Sequence, residues 1–106
     1  MSYDLGLYID AGNGSVRIEN FDWNYTYNLG NFFEWALEKR LKEFNGEDAW
    51  YFLDCINHAL YKISQGEDLS RFEPSNGWGS VLGATCFLAK IGIACAKAPN
   101  AKVHVS

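Results

Sequence analysis

Asn24, Thr26 and Asn28 alternate with Tyr25 and Tyr27, a pattern suited to holding a small planar molecule. Amides carry donors and acceptors and can pair with the edge of a base-like ring, while flat aromatic side chains stack on its face. An extended chain sends alternate side chains to opposite sides. Asp22, Asn24, Thr26 and Asn28 would then form a polar row, and Phe21, Trp23, Tyr25 and Tyr27 an aromatic one. A second cluster, Asn76-Gly77-Trp78-Gly79, sets one large ring between glycines just ahead of an apolar helix. Together they nominate a ligand patch of Asn24, Thr26, Asn28, Asn76 and Trp78, with Tyr25 or Tyr27 at its edge. The same residue types also serve structure. Short polar side chains bond nearby backbone and anchor turns, and Trp78 could fill the core.

Catalytic patterns are absent from the sequence. It contains no GxSxG, HExxH, P-loop or GxGxxG. The Gly12-Asn13-Gly14 turn is not followed by the helix that a phosphate loop requires. His58 has no second ligand at metal spacing, and Cys86 and Cys95 are about 2.5 helical turns apart, too far to share an ion. No metal site or cofactor is expected, and the reading favours a binding protein over an enzyme. Basic residues near the patch are scarce, with Arg17 and Arg71 as the candidates, so a charged ligand would lean on helix N-termini after Asn31 and at Ser80.

The elements that must position these residues follow from periodicity. Residues 3–10 alternate as a half-buried strand, with Leu5, Leu7 and Ile9 on one face. Ala11-Gly12-Asn13-Gly14 predicts a hairpin turn into a return strand through Val16 and Ile18. The apolar phase then flips, which calls for a bulge near Glu19-Asn20. Asn31 and Glu34 suggest a capping box for a helix that carries Phe33, Leu37, Leu41 and Phe44 and ends at Asn45-Gly46. A second helix spans about Glu47–Ser64, with Leu53, Ile56, Leu60 and Ile63 inward. Residues 65–79 form a loop anchored by Leu69 and Phe72. A third, nearly uncharged helix runs from Ser80 to about Ala98, and Leu82 and Phe87 are expected in the core. Residues 101–105 form a last strand with Val103 and Val105 inward. The fold class is α+β in the order β-β-α-α-α-β: a small three-stranded sheet with the helices packed on one face, in a single domain over 1–106.

The 106 residues carry nine Lys and Arg against thirteen Asp and Glu, a net charge of −4. With 48% of residues apolar, the composition argues against a disordered tail, and the missing basic face argues against nucleic-acid polymers. Cys55, Cys86 and Cys95 form no closed disulfide set and fall in apolar helical contexts, and the first ten residues lack a basic start. The expected setting is the reducing cytosol, with no membrane partner. Aromatic residues reach 16%, more than a small core easily hides, which points to a pocket or to self-association as a homo-oligomer.

The opening MSYDL strand, the stretch Asn24-Tyr25-Thr26-Tyr27-Asn28 before a helix, and Asn76-Gly77-Trp78-Gly79 before a long helix resemble a family of small proteins. Its members occur in bacteriophages and in Gram-positive, often actinobacterial, genomes. The resemblance covers most of the chain and departs at Asn31-Phe32-Phe33, where a Pro-containing start is commoner. The family has no established activity to carry over. It implies a phage-type accessory protein in the host cytosol. The expected function is non-catalytic binding of a small polar, nucleotide-type signalling ligand, an anti-defence sponge. The alternative is a module that inhibits a bacterial host protein.

Overall fold

Alternating apolar residues lay down β1 (Ser2–Asp10) and β2 (Ser15–Thr26) as an antiparallel hairpin, and β3 (Lys102–Val105) pairs with the other edge of β1. The computed structural model describes residues 2–10, 12 and 14–106, apart from the side chains of 19–22. Of the expected features, the turn residues Ala11 and Asn13 and the side chains of Phe21 and Asp22 lie outside that set. Strand order is β2-β1-β3. The register of β2 on β1 breaks where the apolar phase flips: Tyr8 faces Arg17, but Gly6 faces Asp22. The break is wider than the single-residue bulge expected. β2 therefore pairs as two separate runs, and counted by paired run the sheet has four strands, where the sequence predicts three.

The helices lie on one side of this sheet. Leu5, Leu7, Val103 and Val105 point toward them and are buried, while Asp4, Tyr8, Asn24 and His104 on the opposite face are exposed or half-buried. One apolar cluster joins both strand edges to α1 (Gly30–Leu37), α2 (Ala49–Ile63) and α3 (Val81–Lys97).

The first helix is shorter than its apolar stripe implies. It ends at Leu37 because Glu38 adopts a left-handed conformation, φ 60°. The chain resumes as a 3₁₀ turn over Leu41–Phe44. Phe33, Leu37, Leu41 and Phe44 are all buried, so the spacing identified the right residues on the wrong backbone. Nor does Asn31 cap the helix. Leu29 occupies that position, and Asn31 is exposed within the first turn.

On α2 the innermost positions are Ala49, Phe52, Ile56 and Ala59, while Leu53, Leu60 and Ile63 are only half-buried. Phe44 stacks on Phe52 with ring centroids 4.5 Å apart. Ser80 caps α3 by accepting from the Gly83 amide at 2.9 Å. Leu82, expected in the core, is 73% exposed. An almost wholly apolar helix carries no periodic signal of which side is inward. The inward side is that of Ala84, Leu88, Ile91 and Cys95. Of the other two thiols, Cys55 is half-buried and Cys86 exposed. No helix among the described residues is long and apolar enough to cross a membrane.

Phe52→Ala should lower unfolding free energy by about 3–5 kcal/mol, and half-buried Leu60→Ala by less, in denaturant titrations. The Cys95 thiol adds a pH dependence. Burial pushes its pKa up from 9.0 to about 12, so the folded state keeps a proton that the unfolded chain has already released. Its contribution to stability is whole below pH 9.0 and is lost as the pH rises toward about 12. Cys95→Ala should therefore show a shallower alkaline decline in denaturation midpoint than the wild type.

Candidate functional site

The end of β2 and the loop before α3 come together because Tyr25 bridges them. Its hydroxyl donates to the Ser80 carbonyl and accepts from the Ser80 amide, both at 3.1 Å. Its ring packs against Phe33 and Phe87. One residue on, Thr26 points the other way and caps the 3₁₀ turn Tyr27–Leu29, its hydroxyl accepting from the Asn28 amide at 3.2 Å.

Asn28 then reaches across to the loop. Its side-chain nitrogen donates to Asn76 Oδ1 at 3.2 Å and to the Trp78 carbonyl at 3.4 Å. Asn76 Oδ1 also accepts from the Trp78 amide at 3.0 Å. Both polar groups of the Trp78 backbone are thus tied down, yet Trp78 as a residue is 72% exposed. It does not fill the core. Gly79 permits this arrangement. It sits at φ 86°, and a Cβ there would meet Thr26 Cγ2 at 2.6 Å and Leu29 Cδ2 at 2.9 Å.

A cavity of about 630 Å³ lies here, lined by Ser2, Asn24, Thr26, Tyr27, Asn28, Asn76 and Trp78. The sequence named every one of these except Ser2. Ser2 enters because the hairpin register sets it opposite Thr26, a pairing that becomes legible only once the turn length is known. Tyr25 is the one nominated residue that does not line the cavity; it faces the core side and is spent on Ser80.

A second cavity of about 500 Å³ adjoins the first through Tyr27 and Asn28 and contains Tyr3, Asn31, Glu34, Arg40 and Lys42. Lys42 Nζ lies 4.8 Å from the Tyr27 ring centroid, within cation–π reach. Tyr3 meets Tyr27 edge-on at 4.5 Å. Burial raises the Tyr3 hydroxyl above its usual pKa, and the nearby Lys42 charge opposes that rise. Arg40 and Lys42 were missed because a continuous helix over 31–45 would carry them away from this site. The early stop at Glu38 brings them back.

Of the basic residues nominated from sequence, Arg71 lies elsewhere, while Arg17 lines an adjoining hollow that shares Asn24 with the cavity. Arg71 pairs with Glu67 at 3.2 Å and covers the Phe72 ring, and Arg17 lines the open sheet face beside His104. The start of α3 is also largely committed internally. The Ser80 amide goes to Tyr25, the Val81 amide to Glu73 Oε1 at 2.8 Å, and the Gly83 amide to Ser80 Oγ. Little of that terminus remains for a phosphate. Among the described residues, no three His, Cys, Asp or Glu side chains gather to hold a metal.

No family model, curated protein or solved structure matches this chain.

The clasp can be measured directly. In a double-mutant cycle, Asn28→Ala and Asn76→Ala should couple by about 0.5–1.5 kcal/mol, the range of a net hydrogen bond. Gly79→Ala should cost more than about 1 kcal/mol, since it adds strain at a positive φ to a collision with Thr26 and Leu29. It should also shift tryptophan emission as the loop moves.

Proposed function

We propose that this protein binds, without transforming, a small polar ligand that carries a planar, nucleotide-like group, in the cavity beside Trp78. The observation that carries the reading is Trp78 itself: an indole largely in water, on a backbone pinned at both its N–H and its C=O. Exposing a large apolar ring forgoes its burial energy, and fixing its backbone adds an ordering cost. That combination suits a preformed stacking surface, because ordering already present in the free protein is not charged again on binding. Asn24, Asn28, Asn76 and Thr26 supply neutral donors and acceptors around the ring, suited to the edge of a base. Lys42, beyond Tyr27, offers a cation in the adjoining cavity for an attached anionic group.

With no catalytic set assigned to the cavity, the ligand would be held rather than converted. Sequestration of a nucleotide-type signal, as the phage-like resemblance implies, is the role that fits such a site. The test is a thermal-shift and fluorescence screen of nucleotides and cyclic nucleotides against wild type and Trp78→Ala. A binding nucleotide should raise the wild-type melting temperature and quench tryptophan emission. Trp78→Ala should weaken that binding by about 1–3 kcal/mol, the range for one base–aromatic stack. Its own stability should stay within about 0.5 kcal/mol of wild type, as for other exposed positions. A variant that melts much earlier, or a wild type indifferent to every nucleotide, would defeat the reading.

A further inference from the structure

The outward side of α3 is as apolar as its inward side. Leu82, Cys86, Ala89, Ile93 and Ala96 follow one another at helical spacing, with Leu82 73% and Ile93 59% exposed. Alongside, α2 leaves Trp50 54% and Tyr61 68% exposed. Between the two helices runs a groove of about 400 Å³ whose lining includes Leu53, Leu60 and Gly92. Gly92 keeps the helices close, since a Cβ there would lie 3.2 Å from Ile56 Cγ2. Four large apolar residues exposed on one two-helix face are more than scattered surface residues.

We infer that this face is the docking surface for a second copy of the same chain, with α2 of each copy lying on α3 of the other. The charges at its borders carry the choice of occupant. The Trp50 amide bonds the Pro99 carbonyl at 3.1 Å, so the start of α2 lies level with the end of α3 and the helices run antiparallel. Asp54 shares the outer line of α2 with Trp50 and Tyr61, and Lys90 and Lys97 occupy the outer border of α3; all three charged residues are exposed. The border of α2 thus carries one acid, Asp54, near its start, with His58 further along and Lys62 turned to the Trp35 carbonyl, while the border of α3 carries two lysines. A twofold axis along the groove exchanges the two borders at the same level and sets Asp54 of each copy against Lys97 of the other. Opposite charges then meet twice, as an isologous interface requires. A membrane or nucleic acid would instead ask for basic residues on both borders.

The area is adequate. At 1.5 Å rise per residue and 8–10 Å between axes, α3 and its neighbour present a face of about 25 by 20 Å, or about 500 Å² per copy. Doubled, that reaches the roughly 1,000 Å² at which specific association begins. The inference is independent of the ligand reading, since the Trp78 cavity shares no lining residue with the groove.

Sedimentation equilibrium from about 1 to 100 µM should show a concentration-dependent dimer. Ile93→Asp should give monomer with an unchanged helical spectrum. Asp54→Lys should raise the dissociation constant about tenfold or more, and Asp54→Lys with Lys97→Asp should return it to near the wild-type value. The charge pair keeps the test sound even if Ile93→Asp disturbs folding. Three results would overturn the inference: a wild type monomeric throughout, a dimer unaffected by the Asp54 substitution, or a double reversal no tighter than the single one.

Discussion

The Tyr25 hydroxyl between the N–H and C=O of Ser80 is the contact on which the candidate site depends. It joins the end of β2 to the N-cap of the third helix, positions 55 residues apart in sequence. The bond cannot be replaced locally. Gly83 lies so close that any side chain there would collide with the Tyr25 hydroxyl. With Ser80 fixed, the preceding loop is held by the Asn28 bonds to Asn76 and the Trp78 carbonyl. Trp78 and Asn76 are set against Thr26 and Asn28, and the cavity exists because of that placement.

Alternation along β2 distributes the work. Tyr25 faces the core and holds the fold; Asn24 and Thr26 face away and line the cavity. The polar row was therefore legible from sequence, because period two is a property of any strand. The division of labour within it was not. Thr26 and Asn28 do bond local and cross-loop backbone, as a purely structural role would have them do, yet they also line the cavity. An amide has two donors and an oxygen with two lone pairs, so one side chain can tie a loop and still present polar atoms to a ligand.

Where sequence reasoning went astray, the physical cause can be named. The stripe Phe33, Leu37, Leu41, Phe44 satisfies helical spacing, and all four residues are buried. Burial rewards the residue, however, and does not depend on the hydrogen-bonding pattern between such residues. A left-handed Glu38 costs little enough for the chain to turn there and still deliver Leu41 and Phe44 to the core. Nothing in the residue type announces this turn, since glycine or asparagine is the usual signal. Missing it hid the second cavity, because Arg40 and Lys42 line that cavity beyond the turn. The widened break in β2 is a similar case. The phase flip located it, but not its extent.

Helix α3 failed for the opposite reason, an excess of signal. Leu82 and Leu88 are indistinguishable by residue type; one is exposed and the other buried. A helix that is apolar all round is expected to be surrounded, and in a single chain of this size the sheet and α2 can cover only one side of it. The uncovered side is therefore a statement about environment. Its small residues let the neighbouring helix approach closely at Gly92 while leaving Ile93 standing proud of the groove, and its only charges, Lys90 and Lys97, lie at the outer border. A side chain meant for water throughout would not need that arrangement. The dimer inferred above would give α3 two packed faces, one supplied by its own chain and the other by a second copy.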